Sequence, residues 1–135
     1  MAELRFANRH HHEDQWCIKK KLCESDLGKK SGLLLPSEVV ESHIFPLWNV
    51  DEHEQLHSSR NGLLVFVMDC DTKTGHEMAF KQWNQGEAYV LVKSWARGFV
   101  KRRNLKLSDE IGLFWEHCHS RFIFYVLNRA ATAVK

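Results

Sequence analysis

Long apolar runs and C-x-x-C pairs are missing from this chain, and its 135 residues include only two prolines and seven glycines. Each scarcity excludes something. No apolar run approaches the ~20 residues that a bilayer-spanning helix needs. The opening "MAELRFANRHHHEDQW" holds no apolar core like that of a secretory leader, so an intracellular protein with no membrane partner is expected. The four cysteines, Cys17, Cys23, Cys70 and Cys118, are unevenly spaced, which argues for reduced thiols and against a disulfide framework or a cysteine-rich zinc site. There is no glycine-rich dinucleotide turn, no Walker loop and no G-x-S-x-G elbow. Catalysis, a cofactor and a small-molecule substrate are therefore not expected.

What is present favours one packed domain. With 44% hydrophobic residues, the chain is long enough to close a single sizeable core. The net charge of +2 hides a division: residues 1 to 75 sum to −3, whereas residues 76 to 135 sum to +5. A local basic field survives the average.

Residues 1–16 are polar and without period, and read as a flexible lead that includes His10, His11 and His12; the domain is expected over 17–130, with 131–135 as a tail. "WCIKKKLCESDLG" reads as a short strand running into a polar turn, and "GLLLP" as a second strand stopped by Pro36. "PSEVVESHIFP" reads as a short helix capped by Ser37, and "WNVDEHEQLHSSRNG" as a polar, acidic connection. "LLVFVMD", "EMAFKQW" and "AYVLV" are strand-like and separated by the turn-forming "CDTKTG" and "NQGE". "VKSWARGFVKRRNLK" has the outline of an amphipathic helix with Ser94 as cap and Trp95, Ala96, Phe99 and Val100 on one apolar arc. Its Lys101, Arg102 and Arg103 fall in the last turn, where cations offset the helix dipole. "SDEIGLFWE" and "RFIFYVL", linked by "HCHS", complete about seven strands and two short helices. That sum predicts a mainly β fold, an antiparallel or mixed barrel carrying helices at its ends.

Candidates for metal chemistry fail on inspection. Asp69 and Asp71 alternate as at the start of a calcium loop, but the fifth, sixth and twelfth positions hold Lys73, Thr74 and Phe80. Asp71-Thr72-Lys73 is an acid-x-lysine triplet of the kind magnesium nucleases use, yet it sits where a hairpin tip is expected. His117, Cys118 and His119 read as a turn between strands, not as a metal site.

Basic residues beside amides and aromatics form a more suggestive pattern. Lys19 to Lys21 and Lys29 with Lys30 flank the first turn, and Lys81 precedes Gln82-Trp83-Asn84-Gln85. Cations neutralise phosphates and amides read base edges.

From about Ile18 to Ala130 the chain resembles the plant B3 DNA-binding domain, in particular a divergent B3-like subgroup. Three blocks carry the resemblance: "KKLCESDLGKKSGLLLPSEVVESHI", "VMDCDTKTGHEMAFKQWNQGEAYVLVKSWARGFVKRRNLKLSDEIGLFW" and "SRFIFYVL". It implies a seven-stranded open pseudobarrel with two short helices that docks into the DNA major groove through two arms. One arm falls on Ser25, Lys29, Lys30 and Ser31, the other on Lys81, Gln82, Trp83, Asn84 and Gln85; Lys21, Lys101 and Arg102 are secondary phosphate contacts. Gly32 and Ser37 stand where many members carry an arginine and another basic residue, and Glu87 adds a negative charge to the second arm. The resemblance implies double-stranded DNA and other transcriptional proteins as partners, and a nuclear location. The rival expectation is a protein-interaction module that keeps the barrel but has lost DNA recognition, using Trp48, the acidic stretch Asp51 to Glu54 or a strand edge.

Overall fold

A computed structural model of the chain describes residues 18–28 and 32–130. Seven strands form one sheet: β1 (Ile18–Lys21), β2 (Leu33–Pro36), β3 (Leu63–Asp69), β4 (Thr74–Trp83), β5 (Ala88–Lys93), β6 (Glu110–Glu116) and β7 (Arg121–Asn128). Their order is β1-β6-β7-β3-β4-β5-β2, with every neighbouring pair antiparallel except β3 and β7. The sheet curls into a half-barrel whose open seam lies between the edge strands β1 and β2. Lys20 of β1 crosses that seam and donates from Nζ to the carbonyl of Leu34 on β2.

Alternation explains which side of each strand faces inward. Leu63, Val65, Val67 and Asp69 of β3 are buried while Leu64 and Phe66 are exposed. The core is aromatic. Trp95 stacks on Phe99 with ring centroids 5.5 Å apart, and Phe99 meets Phe124 edge-on at 4.7 Å. Phe80 stacks on Tyr89 at 5.7 Å and meets Trp48 edge-on at 5.8 Å. Phe99 and Phe124 are wholly buried, so truncating either to Ala removes about 3–5 kcal/mol of packing and cavity energy.

Helical segments depart from the sequence reading in four places. A four-residue helix, α1 (Glu24–Leu27), replaces the expected plain turn after β1. The helix α2 (Ser37–His43) is capped by Pro36, with Ser37 already its first residue. The acidic connection is the nine-residue helix α3 (Val50–Ser58), packed on β3 and β4. Asn49 caps it: its side chain accepts from the Glu52 amide at 2.9 Å while Glu52 Oε1 accepts from the Asn49 amide at 2.9 Å. α3 buries only Leu56, so no apolar stripe announces it.

The expected helix at 92–106 is a π-helical segment, Ala96–Lys101, entered through Trp95. Ser94 does not cap it; its hydroxyl donates to the Glu77 carbonyl at 2.9 Å and ties the entry to β4. The expected apolar arc is present, with Trp95 and Phe99 buried and Val100 half-buried against the core.

Candidate nucleic-acid interface

The second predicted arm is the β4–β5 hairpin. Pairing runs to Trp83 opposite Ala88, leaving Asn84 to Glu87 as the link. Asn84, Gln85 and Gly86 have φ of 52°, 60° and 94°, three consecutive left-handed residues. Asparagine and glycine adopt that region readily, but glutamine does so at a cost. At Gly86 the angle is what calls for glycine, since an added Cβ meets only the Gln82 amide nitrogen at 3.7 Å. The tip is held by an internal bond from Asn84 Nδ2 to Glu87 Oε1, backed by the Glu87 amide donating to the Asn84 carbonyl at 3.3 Å.

This geometry brings the predicted arm residues together at one exposed end of the sheet. Gln82, Trp83, Asn84 and Gln85 are exposed and Lys81 is half-buried. Trp83 keeps 54% of its surface in solvent, unusual for so large an apolar group. By strand alternation Lys81 and Trp83 share one face and Gln82 takes the other. One N–H of Asn84 is committed to Glu87, so Gln82 and Gln85 are the amides with both ends available at the tip.

The first predicted arm starts from α1. Ser25 is exposed there, whereas Lys29, Lys30 and Ser31 lie outside the described residues. Asp26, which the resemblance puts in the first arm without a role of its own, organises the base of this arm. Its carboxylate is fully buried and accepts from Lys20 Nζ at 3.0 Å, from the Cys23 amide at 2.8 Å and from the Leu34 amide at 3.4 Å. Its carbonyl accepts from Trp95 Nε1 at 2.8 Å. One residue thus joins β1, α1, β2 and the π-helical segment, leaving the next few residues anchored at their root. The only hint in the sequence was an acid placed three residues after Cys23.

Gly32 has a steric reason to be glycine. A Cβ there would lie 2.3 Å from the Leu91 carbonyl and 2.7 Å from Val90 Cγ2, closer than β5 tolerates without moving. Any side chain at this position, including the arginine that the resemblance implies, would require β5 to shift.

The three secondary contacts fare differently. Lys21 is exposed at the end of β1, with Glu110 as its register partner on β6. Lys101 is exposed on the π-helical segment and makes no ion pair with any described residue. Arg102 is already engaged: Nη2 donates to Asp69 Oδ2 at 2.6 Å, Nη1 to Thr72 Oγ1 at 3.1 Å and Nε to the Gly98 carbonyl at 2.6 Å. Arg103 joins it, with Nη1 2.7 Å from both Asp69 oxygens and Nη2 3.2 Å from Asp71 Oδ2. These cations neutralise the buried carboxylate of Asp69 and the exposed one of Asp71 at the β3–β4 turn, which replaces the helix-dipole role expected for them.

Burial alone would raise the Asp69 carboxyl, but hydrogen bonds from Arg103 and Arg102, with their charges, hold it below its ordinary value. Arg103 is in turn held in its charged form more firmly than usual, the carboxylates of Asp69 and Asp71 outweighing its burial. Burial, helped by the nearby charge of Arg102, lowers His76, whose ring packs 4.8 Å from Phe99. Asp71 Oδ2 also accepts from the Val126 amide at 2.9 Å, so the acid-x-lysine triplet serves as a fastened hairpin tip. Among the described residues no cluster of three or more His, Cys, Asp or Glu is arranged to hold a metal. Trp48, expected as a contact residue of the rival interaction module, is 7% exposed and packs 5.7 Å from Trp115, so it is core.

Residues 16–127 match the family model described as the C-terminal domain of the B3 domain-containing protein At5g26805. The chain is 40% identical over 116 residues to the B3 domain-containing protein At1g78640 of Arabidopsis thaliana, covering 84% of this chain and 22% of that protein. It is 39% identical over 116 residues to B3 domain-containing protein At4g02870 of the same organism, covering 85% and 36%. It therefore spans about a fifth to just over a third of the length of these relatives. Two solved structures share the fold: the Arabidopsis FUS3–DNA complex, with a TM-score of 0.63, 19% identity and 84% and 97% of the two chains covered, and the Arabidopsis thaliana LEC2–DNA complex, with 0.58, 22%, 84% and 90%. The match of the family model across most of the chain, on a seven-stranded half-barrel, makes this chain a member of the B3 domain family.

Proposed function

We propose that this domain binds double-stranded DNA sequence-selectively, entering the major groove with two arms, and that it regulates transcription in the nucleus without performing catalysis. The carrying observation is the β4–β5 tip, where a half-buried lysine, an exposed tryptophan and the amides of Gln82 and Gln85 project from a turn held in a left-handed form. Lys81, with Lys29 and Lys30 of the first arm, supplies sequence-blind attraction to phosphates; Gln82 and Gln85 supply paired donors and acceptors that suit adenine edges. Trp83 offers a flat apolar face to sugars. Relatives support the reading: the chain is 34% identical over 97 residues to the AP2/ERF and B3 domain-containing transcription repressor TEM1, and the two structures of like fold were solved as DNA complexes. Activation or repression would pass through other transcriptional proteins, since a domain of this kind can act by occupancy and recruitment.

The test is binding to a random duplex pool at low and at moderate salt, followed by selection and sequencing. A converged motif and an affinity that falls steeply with salt are expected. Folded protein that retains no duplex at low salt contradicts the proposal.

A further inference from the structure

The stretch from Lys93 to Lys106 carries six basic residues, and the structure sends them in different directions. Arg102 and Arg103 are consumed by Asp69 and Asp71. Lys93, Arg97 and Lys101, at successive four-residue spacings, instead line an open groove of about 850 Å³ whose other wall is Leu27 and Gly28 at the end of α1. No carboxylate lines this groove, whereas the clefts at the seam and beside β6 include Glu87 and Glu110 respectively. The three cations have no ion pair or hydrogen-bonded partner among the described residues, and Asn104 places an exposed amide at the same groove. Its floor includes the buried Leu105 and half-buried Leu27 and Val100, which lowers the local dielectric and strengthens attraction for an anion. Lys93 is held at φ 86°, a conformation in which glycine would be cheaper, at the point where β5 turns into this wall.

We infer that this groove is a phosphate-binding site that takes the backbone of the duplex flanking the sequence read by the two arms. Gly28 in its wall immediately precedes Lys29 of the predicted first arm in sequence, which sets the groove beside the root of that arm. Arg97 can grip two phosphate oxygens through its planar fork, and Lys93 and Lys101 act as point charges. The inference rests on the DNA-binding reading above and assigns it a third contact region, in place of the one expected at Arg102.

The full chain is compared with a Lys93→Gln, Arg97→Gln variant on two selected duplexes, one ending at the motif on the first-arm side and one extended there by about half a helical turn. The extension is expected to strengthen binding of the native protein roughly three- to tenfold and to steepen its salt slope by about 1–2. Both gains are expected to vanish in the variant, which binds the short duplex as the native protein does. Equal loss on both duplexes, or no loss on either, overturns the inference. A parallel titration with inorganic pyrophosphate, read by NMR at Lys93, Arg97 and Lys101, separates the sources of phosphate. Weak binding supports a backbone contact, and binding tighter than that of the extended duplex reassigns the groove to a small anion and overturns it. If no duplex binds but pyrophosphate still moves these resonances, the DNA reading of the protein has failed while the phosphate site stands. If neither binds, both fall.

Discussion

The strand β4 ends in two hairpins built for opposite purposes. At its start, the β3–β4 turn is acidic and fastened down: Asp69 is wholly buried, accepts from Arg102 and Arg103, and takes the amides of Asp71 and Thr72 at 3.1 and 3.4 Å. At its end, the β4–β5 turn carries a lysine, a tryptophan and three amides, and its internal bonds join only Asn84 and Glu87. At the first turn both carboxylates, Asp69 and Asp71, have a cationic partner within the fold. In the second, polar groups and an apolar ring are left for something outside. Charge density along the sequence does not separate these cases; the distinction lies in whether the fold supplies a counter-charge.

The contrast can be broken at either end, and the largest effect is expected at the fastened one. Asp69→Ala leaves Arg103, whose side chain is 12% exposed, without its main partner, and should cost about 3–5 kcal/mol in urea unfolding while leaving duplex affinity per folded molecule unchanged. Gly32→Arg, which restores a family residue, should lower stability by about 1–3 kcal/mol because Leu91 and Val90 must move, and so should not raise affinity in direct binding measurements. At the open end, Gln85→Ala should weaken binding to the selected motif by about 1–3 kcal/mol and relax one base position in a repeated selection, with no change in thermal midpoint. Lys81→Gln should weaken all duplexes alike and reduce the slope of log affinity against log salt by about 1.

The smallest effect is a pH dependence of the fastened end. His76 is held below its ordinary 6.5, so below that pH the unfolded chain takes a proton that the native state resists, and stability begins to fall. Asp69 is held below its ordinary 3.8, so its contribution is complete above that value and is lost as pH drops through its folded-state value. Denaturant titrations should therefore show a shallow decline starting near pH 6.5 and a steeper one below pH 3.8, the first absent in His76→Gln.

Most of the sheet was legible because strands such as Leu63–Asp69 alternate cleanly and because the links at 84–87 and 117–119 carry turn residues. The helix α3 was not, since a helix that buries a single leucine carries almost no periodic signal, although its Asn49 and Glu52 capping pair was there to be read. The positions of the arm residues at 81–85 followed from the resemblance, and the structure gathers them at one end of the sheet. The role of Arg102 could not be read, because its partner Asp69 is 33 positions away and meets it only after β3, β4 and β5 have folded together. Asp26 was hidden in part for the same reason: Trp95, which donates to its carbonyl, is 69 positions away.

The most direct measurement is an NMR titration of the folded chain with the selected duplex. Amide resonances of Lys81 to Gln85 should shift strongly at stoichiometric DNA while those of Cys70 to Thr74 stay in place. Shifts confined to the β3–β4 turn, with the β4–β5 tip unmoved, would contradict the assignment of the open hairpin as the reading arm.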